Sequence, residues 1–144
     1  RLPMGVGRSL LVIAGFALVA SSILSASQQT TRDGVYAKAQ ADRVTEMYGK
    51  ICANCHDPAK VPEGKKPAPP LLGDVFLDTW KDRPLGELMA IIRLTMPNDG
   101  SAVLTPDDAV DLAAYILQAN KYPDGKAPLK NDDAAKKILI VKAP

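Results

Sequence analysis

The chain has 144 residues, is 47% hydrophobic and carries a formal net charge of +2. That length holds one domain and a terminal segment, and Arg1 and Arg8 supply the whole charge surplus, so nothing suggests a nucleic-acid-binding surface. Two cysteines and a single histidine fall short of the roughly four ligands that a structural zinc site requires.

No charged residue occurs from Ser9 to Thr31. The apolar heart runs from Leu10 to Ala20 and continues at Ile23-Leu24. As a helix this stretch would span ~34 Å, enough to cross a bilayer core of ~30 Å. We read residues 1–31 as a transmembrane anchor and linker, with Ser27-Gln28-Gln29-Thr30-Thr31 as the linker. The competing reading is a signal peptide cleaved near Ser25-Ala26-Ser27. Arg1 and Arg8 mark the cytoplasmic side, which puts the rest of the chain on the periplasmic side of a bacterial cytoplasmic membrane.

Ala37 to Ile51 lacks proline, and Ala37, Ala41, Val44, Tyr48 and Cys52 recur at helical spacing. This predicts one helix running into Cys52-Ala53-Asn54-Cys55-His56. Two thiols three positions apart with an adjoining imidazole form the attachment motif of a c-type haem. On a helical turn both sulfurs reach the vinyl groups of one porphyrin, and His56 is delivered to the iron. A thioredoxin-like dithiol would need alternating strands and helices, which the sequence lacks. A plain disulfide is the remaining rival.

His56 is the only histidine, so a second axial imidazole cannot come from this chain. Met4 lies in the N-terminal segment, Met47 sits on the helix that carries the haem motif, and Met89 falls among Leu85, Leu88 and Ile92 as a core residue. Met96 lies where the helix Leu85 to Thr95 must stop before Pro97. It is the expected sixth ligand, although an ordinary apolar helix end would read the same way. Lys60 to Pro70 is too rich in Pro and Lys for regular structure. Thr105-Pro106-Asp107-Asp108 opens a final helix reaching about Asn120. The tail 130–144 has one apolar run, Ile138 to Val141, expected to pack on the domain surface.

In this order the elements resemble a class I c-type cytochrome over about Val35 to Leu129. The likeness is nearest to single-haem cytochromes associated with dehydrogenases, on the runs PAPPLLGDVFLDTW, IRLTMP and LAAYILQAN. The resemblance implies an all-α cytochrome c fold over 32–129 around one covalent haem c. It implies thioethers at Cys52 and Cys55 and axial ligands at His56 and Met96. Pro69 would accept the imidazole proton through its carbonyl. Trp80 and Arg93 would lie near the haem carboxylates, or else fill the core and a solvated helix face respectively. Two positions depart from the family. Val44 replaces a glycine where the first and last helices cross, which calls for a wider crossing or for compensation by Ala113 or Ala114. Asp57 stands where glycine often follows the histidine.

These readings point to a membrane-anchored carrier of single electrons and not to an enzyme. Its partners would be a dehydrogenase or quinol-oxidising complex on one side and an oxidase or photosynthetic reaction centre on the other. The alternatives are a fixed subunit of such a complex and an open-haem sensor or peroxidase-like cytochrome.

Overall fold

The computed structural model describes residues 27–144, so the expected transmembrane helix lies outside the described residues. No helix among the described residues is long and apolar enough to cross a membrane. They form helices and loops without strands: α1 Lys38–Asp42, α2 Thr45–Met47, a π-helical turn Tyr48–Cys52, α3 Ala53–His56, α4 Asp74–Trp80, α5 Leu85–Thr95, α6 Pro106–Ala119 and α7 Asp133–Lys136.

The core is the packing of α6 on α1 and α5. Helix α6 starts where its capping chemistry dictates. The Thr105 hydroxyl accepts from the Asp108 N–H at 3.1 Å, and the Asp108 carboxylate accepts from the Thr105 N–H at 2.8 Å. Pro106 fills the first turn, and Asp107 and Asp108 oppose the helix dipole. Its length buries Leu112, Ile116 and Leu117 to within 1% exposure. Helix α5 has the predicted bounds and buries Leu85, Leu88, Met89 and Ile92, one face at helical spacing. Met89 is a core residue, as its spacing predicts.

The single helix expected over Ala37 to Ile51 is broken. Helix α1 stops at Asp42, Val44 departs from helical geometry at φ −105° and ψ 6°, and a π-turn follows at Tyr48–Cys52. The physical reason lies at the crossing with α6. Val44 is buried where a glycine would allow close approach, and Ala41, Ala113 and Ala114 are all 0% exposed. The small residues hold the contact close, and the break in the helix accommodates the β-branched side chain. π-turns inside helices frequently mark functional sites.

A buried polar cluster fastens α1 to α6. Asp111 accepts from Arg43 Nε at 2.5 Å and Nη2 at 2.7 Å, and from Gln40 Nε2 at 2.9 Å. Gln40 also closes a ring on the Leu129 backbone, donating to its carbonyl at 2.9 Å and accepting from its N–H at 2.7 Å.

The tail enters the core. Ile138 and Ile140 are buried, and the Leu139 N–H and carbonyl bond Gln29 O and Thr31 N at 3.0 and 2.9 Å. On its other side Ile138 O and Ile140 O accept from Leu85 N and Asp82 N at 2.7 Å each. The expected linker is therefore no free tether. Gln28 donates to Lys137 O at 2.7 Å, and Gln29 and Thr31 are laced to Leu139.

Candidate functional site

The π-turn delivers Cys52, and the single turn of α3 presents Cys55 and His56. Both cysteines are free thiols, Cys52 half-buried and Cys55 exposed. Burial, with Cys55 as a smaller influence, pushes the Cys52 thiol up to about 11, so it stays protonated at neutral pH. A protonated thiol can add its S–H across a carbon–carbon double bond without an oxidant.

The proline-rich loop folds back over the motif. Ala68 N–H donates to Cys55 O at 3.0 Å. His56 Nδ1 lies 2.7 Å from the Pro69 carbonyl. A carbonyl only accepts, so Nδ1 must carry the proton, and Nε2 keeps its lone pair for a metal. The bond also fixes the ring plane and increases the basicity of Nε2.

Asn120, at the C-terminal end of α6, holds this loop in place. Its Oδ1 accepts from Gly73 N at 2.8 Å, and its Nδ2 donates to Leu71 O at 2.9 Å and Ile116 O at 2.8 Å. Gly73 has φ 76° and ψ −157°, a region that side chains other than hydrogen rarely enter. The sequence reading assigned Asn120 no role. Its signal was a polar residue four positions beyond Ile116, on the buried face of α6.

These pieces enclose a cavity of about 520 Å³, within the range of roughly 300–1,000 Å³ for small-molecule sites. Cys52, Cys55, His56 and Pro69 line it together with Met96, while Ile51, Leu71, Ile92, Leu104, Leu112 and Ile116 supply apolar walls. Met96 has left α5 in extended geometry at φ −112° and ψ 147°. Of the methionines among the described residues, Met96 alone lines the cavity; Met89 is core and Met47 packs beside it. Tyr48 closes one end, its ring 4.4 Å from that of Tyr115.

Trp80 and Arg93 are not brought to this cavity. Trp80 is buried against Phe76 at a centroid distance of 6.4 Å, with the Arg83 guanidinium 4.2 Å above its ring. On α5 it is Ile92 that faces the cavity. Arg93, the next residue along the helix, lines two other recesses beside Leu94, one of which shares Met96, Pro97, Asn98 and Leu104 with the cavity. Lys66 and Asp99 are the charged side chains at the cavity wall.

The donor set fits an iron porphyrin: a large apolar slot, two free thiols, an oriented imidazole and a thioether. Among the described residues no three His, Cys, Asp or Glu side chains gather as they would for a bare metal ion.

The model of the family described as cytochrome C oxidase, cbb3-type, subunit III matches residues 39–116. The chain belongs to that family. Its domain is a c-type cytochrome domain, and its cofactor is covalent haem c, which supplies a one-electron ferric/ferrous couple when bound. The matched span holds the motif, the loop, Met96 and most of α6, so the family's helical cytochrome architecture and this cavity coincide. Comparison with curated proteins and with solved structures gave no match.

Proposed function

We propose that this cytochrome domain is a membrane-anchored electron carrier outside the cytoplasm. In this reading Cys52 and Cys55 hold the haem by thioethers, and His56 Nε2 and Met96 Sδ are the axial ligands. The observation that carries it is the His56 Nδ1–Pro69 carbonyl bond at 2.7 Å, in a cavity that Met96 also lines. Two strong protein ligands close the iron, and a Met/His pair raises its potential, which suits electron transfer over ligand activation.

Partners are redox complexes: a dehydrogenase or quinol-oxidising donor, and an oxidase or photosynthetic acceptor. The family's description favours a place beside a terminal oxidase, either as a carrier to it or as a fixed redox subunit within it. The uncharged stretch that begins at Ser9, within residues 1–31, supplies the anchor, with the haem domain on the periplasmic side.

The test combines extraction and titration. Haem should stay on the polypeptide through acid-acetone treatment, and redox titration should follow a one-electron curve. Freely extracted pigment would refute covalent attachment. Carbon monoxide binding to the untreated ferrous protein would favour the open-haem reading instead.

A further inference from the structure

In the anchored reading the last large apolar residues of the uncharged stretch are Ile23 and Leu24, and the fold begins to grip the chain at Gln28. Only Ser25, Ala26 and Ser27 intervene, a reach of about 14 Å even when fully extended. The gripping contacts are one backbone pair, Leu139 N on Gln29 O at 3.0 Å, and two side-chain donors on tail carbonyls, Gln28 Nε2 on Lys137 O at 2.7 Å and Arg32 Nε on Lys142 O at 2.8 Å. The face built from residues 27–32 and 137–143 must then lie next to the bilayer surface, because no slack remains to turn it away.

That face carries the charge such a position calls for. Arg32, Lys137 and Lys142 surround the point where the chain enters the fold. Arg32 and Lys137 are exposed, and Lys142 is exposed near the end of the tail. None of the three forms an ion pair with a carboxylate among the described residues. The nearest acid in sequence, Asp33, is exposed and is engaged with Thr30, accepting from its N–H at 2.7 Å and its hydroxyl at 3.1 Å. Lys136 is engaged separately with Asp133 at 3.8 Å.

We propose that this face is a headgroup-binding surface, on which Arg32, Lys137 and Lys142 contact the phosphates of anionic lipids and hold the haem domain in one orientation on the membrane. The proposal rests on the anchored reading of residues 1–31. Basic side chains within a Debye length of an anionic bilayer each strengthen its binding, by roughly five-fold in affinity. The domain then works from a fixed pose and does not swing on a tether.

The test uses the full haem-loaded chain in nanodiscs, containing either phosphatidylglycerol with phosphatidylcholine or phosphatidylcholine alone. Acetylation of each lysine is followed by mass spectrometry. Lys137 and Lys142 should react roughly five-fold more slowly in the anionic discs. Molar salt should abolish the difference, and Lys65 and Lys66 should react equally in both discs. Equal rates at Lys137 and Lys142 in both discs would overturn the proposal. So would protection seen only in crude native membranes, which would assign the face to a protein neighbour. Flotation after an alkaline wash reads the anchor separately. Should the chain not float, sedimentation of the same chain with phosphatidylglycerol vesicles at low salt decides. Binding lost in the double variant Lys137→Glu, Lys142→Glu supports the surface, and binding unchanged in that variant refutes it.

Discussion

The haem-binding residues differ in how they are fixed. Cys52, Cys55 and His56 are neighbours on one turn, so their joint chemistry is readable from order alone. Pro69 became readable only through a family likeness, because twelve residues separate it from His56 and no local rule closes such a loop. Asn120 was not readable at all. Two of its three hydrogen bonds reach residues nearly fifty positions away in the chain, and a lone Asn at a helix end looks like an ordinary terminus. Its importance can be measured. Asn120→Ala leaves Gly73 N and Leu71 O without their partner and should cost about 2–3 kcal/mol. Thermal unfolding of the holoprotein should shift down accordingly, while Asn120→Asp, which keeps the acceptor for Gly73, should lose less. An unchanged midpoint in Asn120→Ala would mean that the loop is held by the haem alone. Trp80 and Arg93 suit carboxylates by residue type, whereas the face each occupies is set by helix rotation: Ile92 lines the cavity, and Arg93 lines a recess that adjoins it at Met96.

Elements bounded by strong local signals were legible. Helix α6 begins at its capping box, and α5 ends where Pro97 forbids continuation. The break in the first helix was not legible, because it falls at Val44, whose burial is set by the whole fold and not by its neighbours in sequence. Helix α7 and the burial of the tail were also missed, since Ile138 to Val141 reads equally as surface or core until its neighbours are known. Two substitutions probe the element contacts. Gln40→Leu removes three hydrogen bonds and leaves the buried Leu129 N–H unpaired, a loss of about 2–4 kcal/mol in chemical denaturation. Gly125→Ala would place a Cβ 1.9 Å from the Gly34 carbonyl oxygen, and Gly34 is itself at φ +63°. The two chains must part there, so this variant should destabilise more than a helix-surface Gly49→Ala change, which meets nothing within 4 Å.

At the scale of the molecule, stability should fall in alkali for a specific reason. Burial, with the Asp124 and Asp42 carboxylates adding to it, pushes Tyr36 up to about 12 from an ordinary value of 10. The folded state thus favours the neutral phenol. Its contribution is complete below pH 10 and is lost as pH rises towards 12. Tyr48 moves the same way, chiefly through burial. Tyr36→Phe should be less stable at neutral pH by about 1 kcal/mol, through loss of the 2.8 Å bond to Tyr122 O. Its stability should then fall less than the parent's between pH 10 and 12, and a parallel fall in the two proteins would discount Tyr36. On the anchored reading the native chain should also stay in the membrane fraction through high-salt washing, because screening does not release a spanning segment. Release by salt would refute the anchor.

The account as a whole turns on a closed iron held between His56 and Met96, and the near-infrared spectrum of the ferric holoprotein tests it most directly. A sulfur-to-iron charge-transfer band should be present in the parent protein and in Met89→Leu, where a core swap of similar volume leaves the cavity intact. It should vanish in Met96→Ala, together with a fall in reduction potential. A parent protein without the band, or a band that survives in Met96→Ala, would contradict the account.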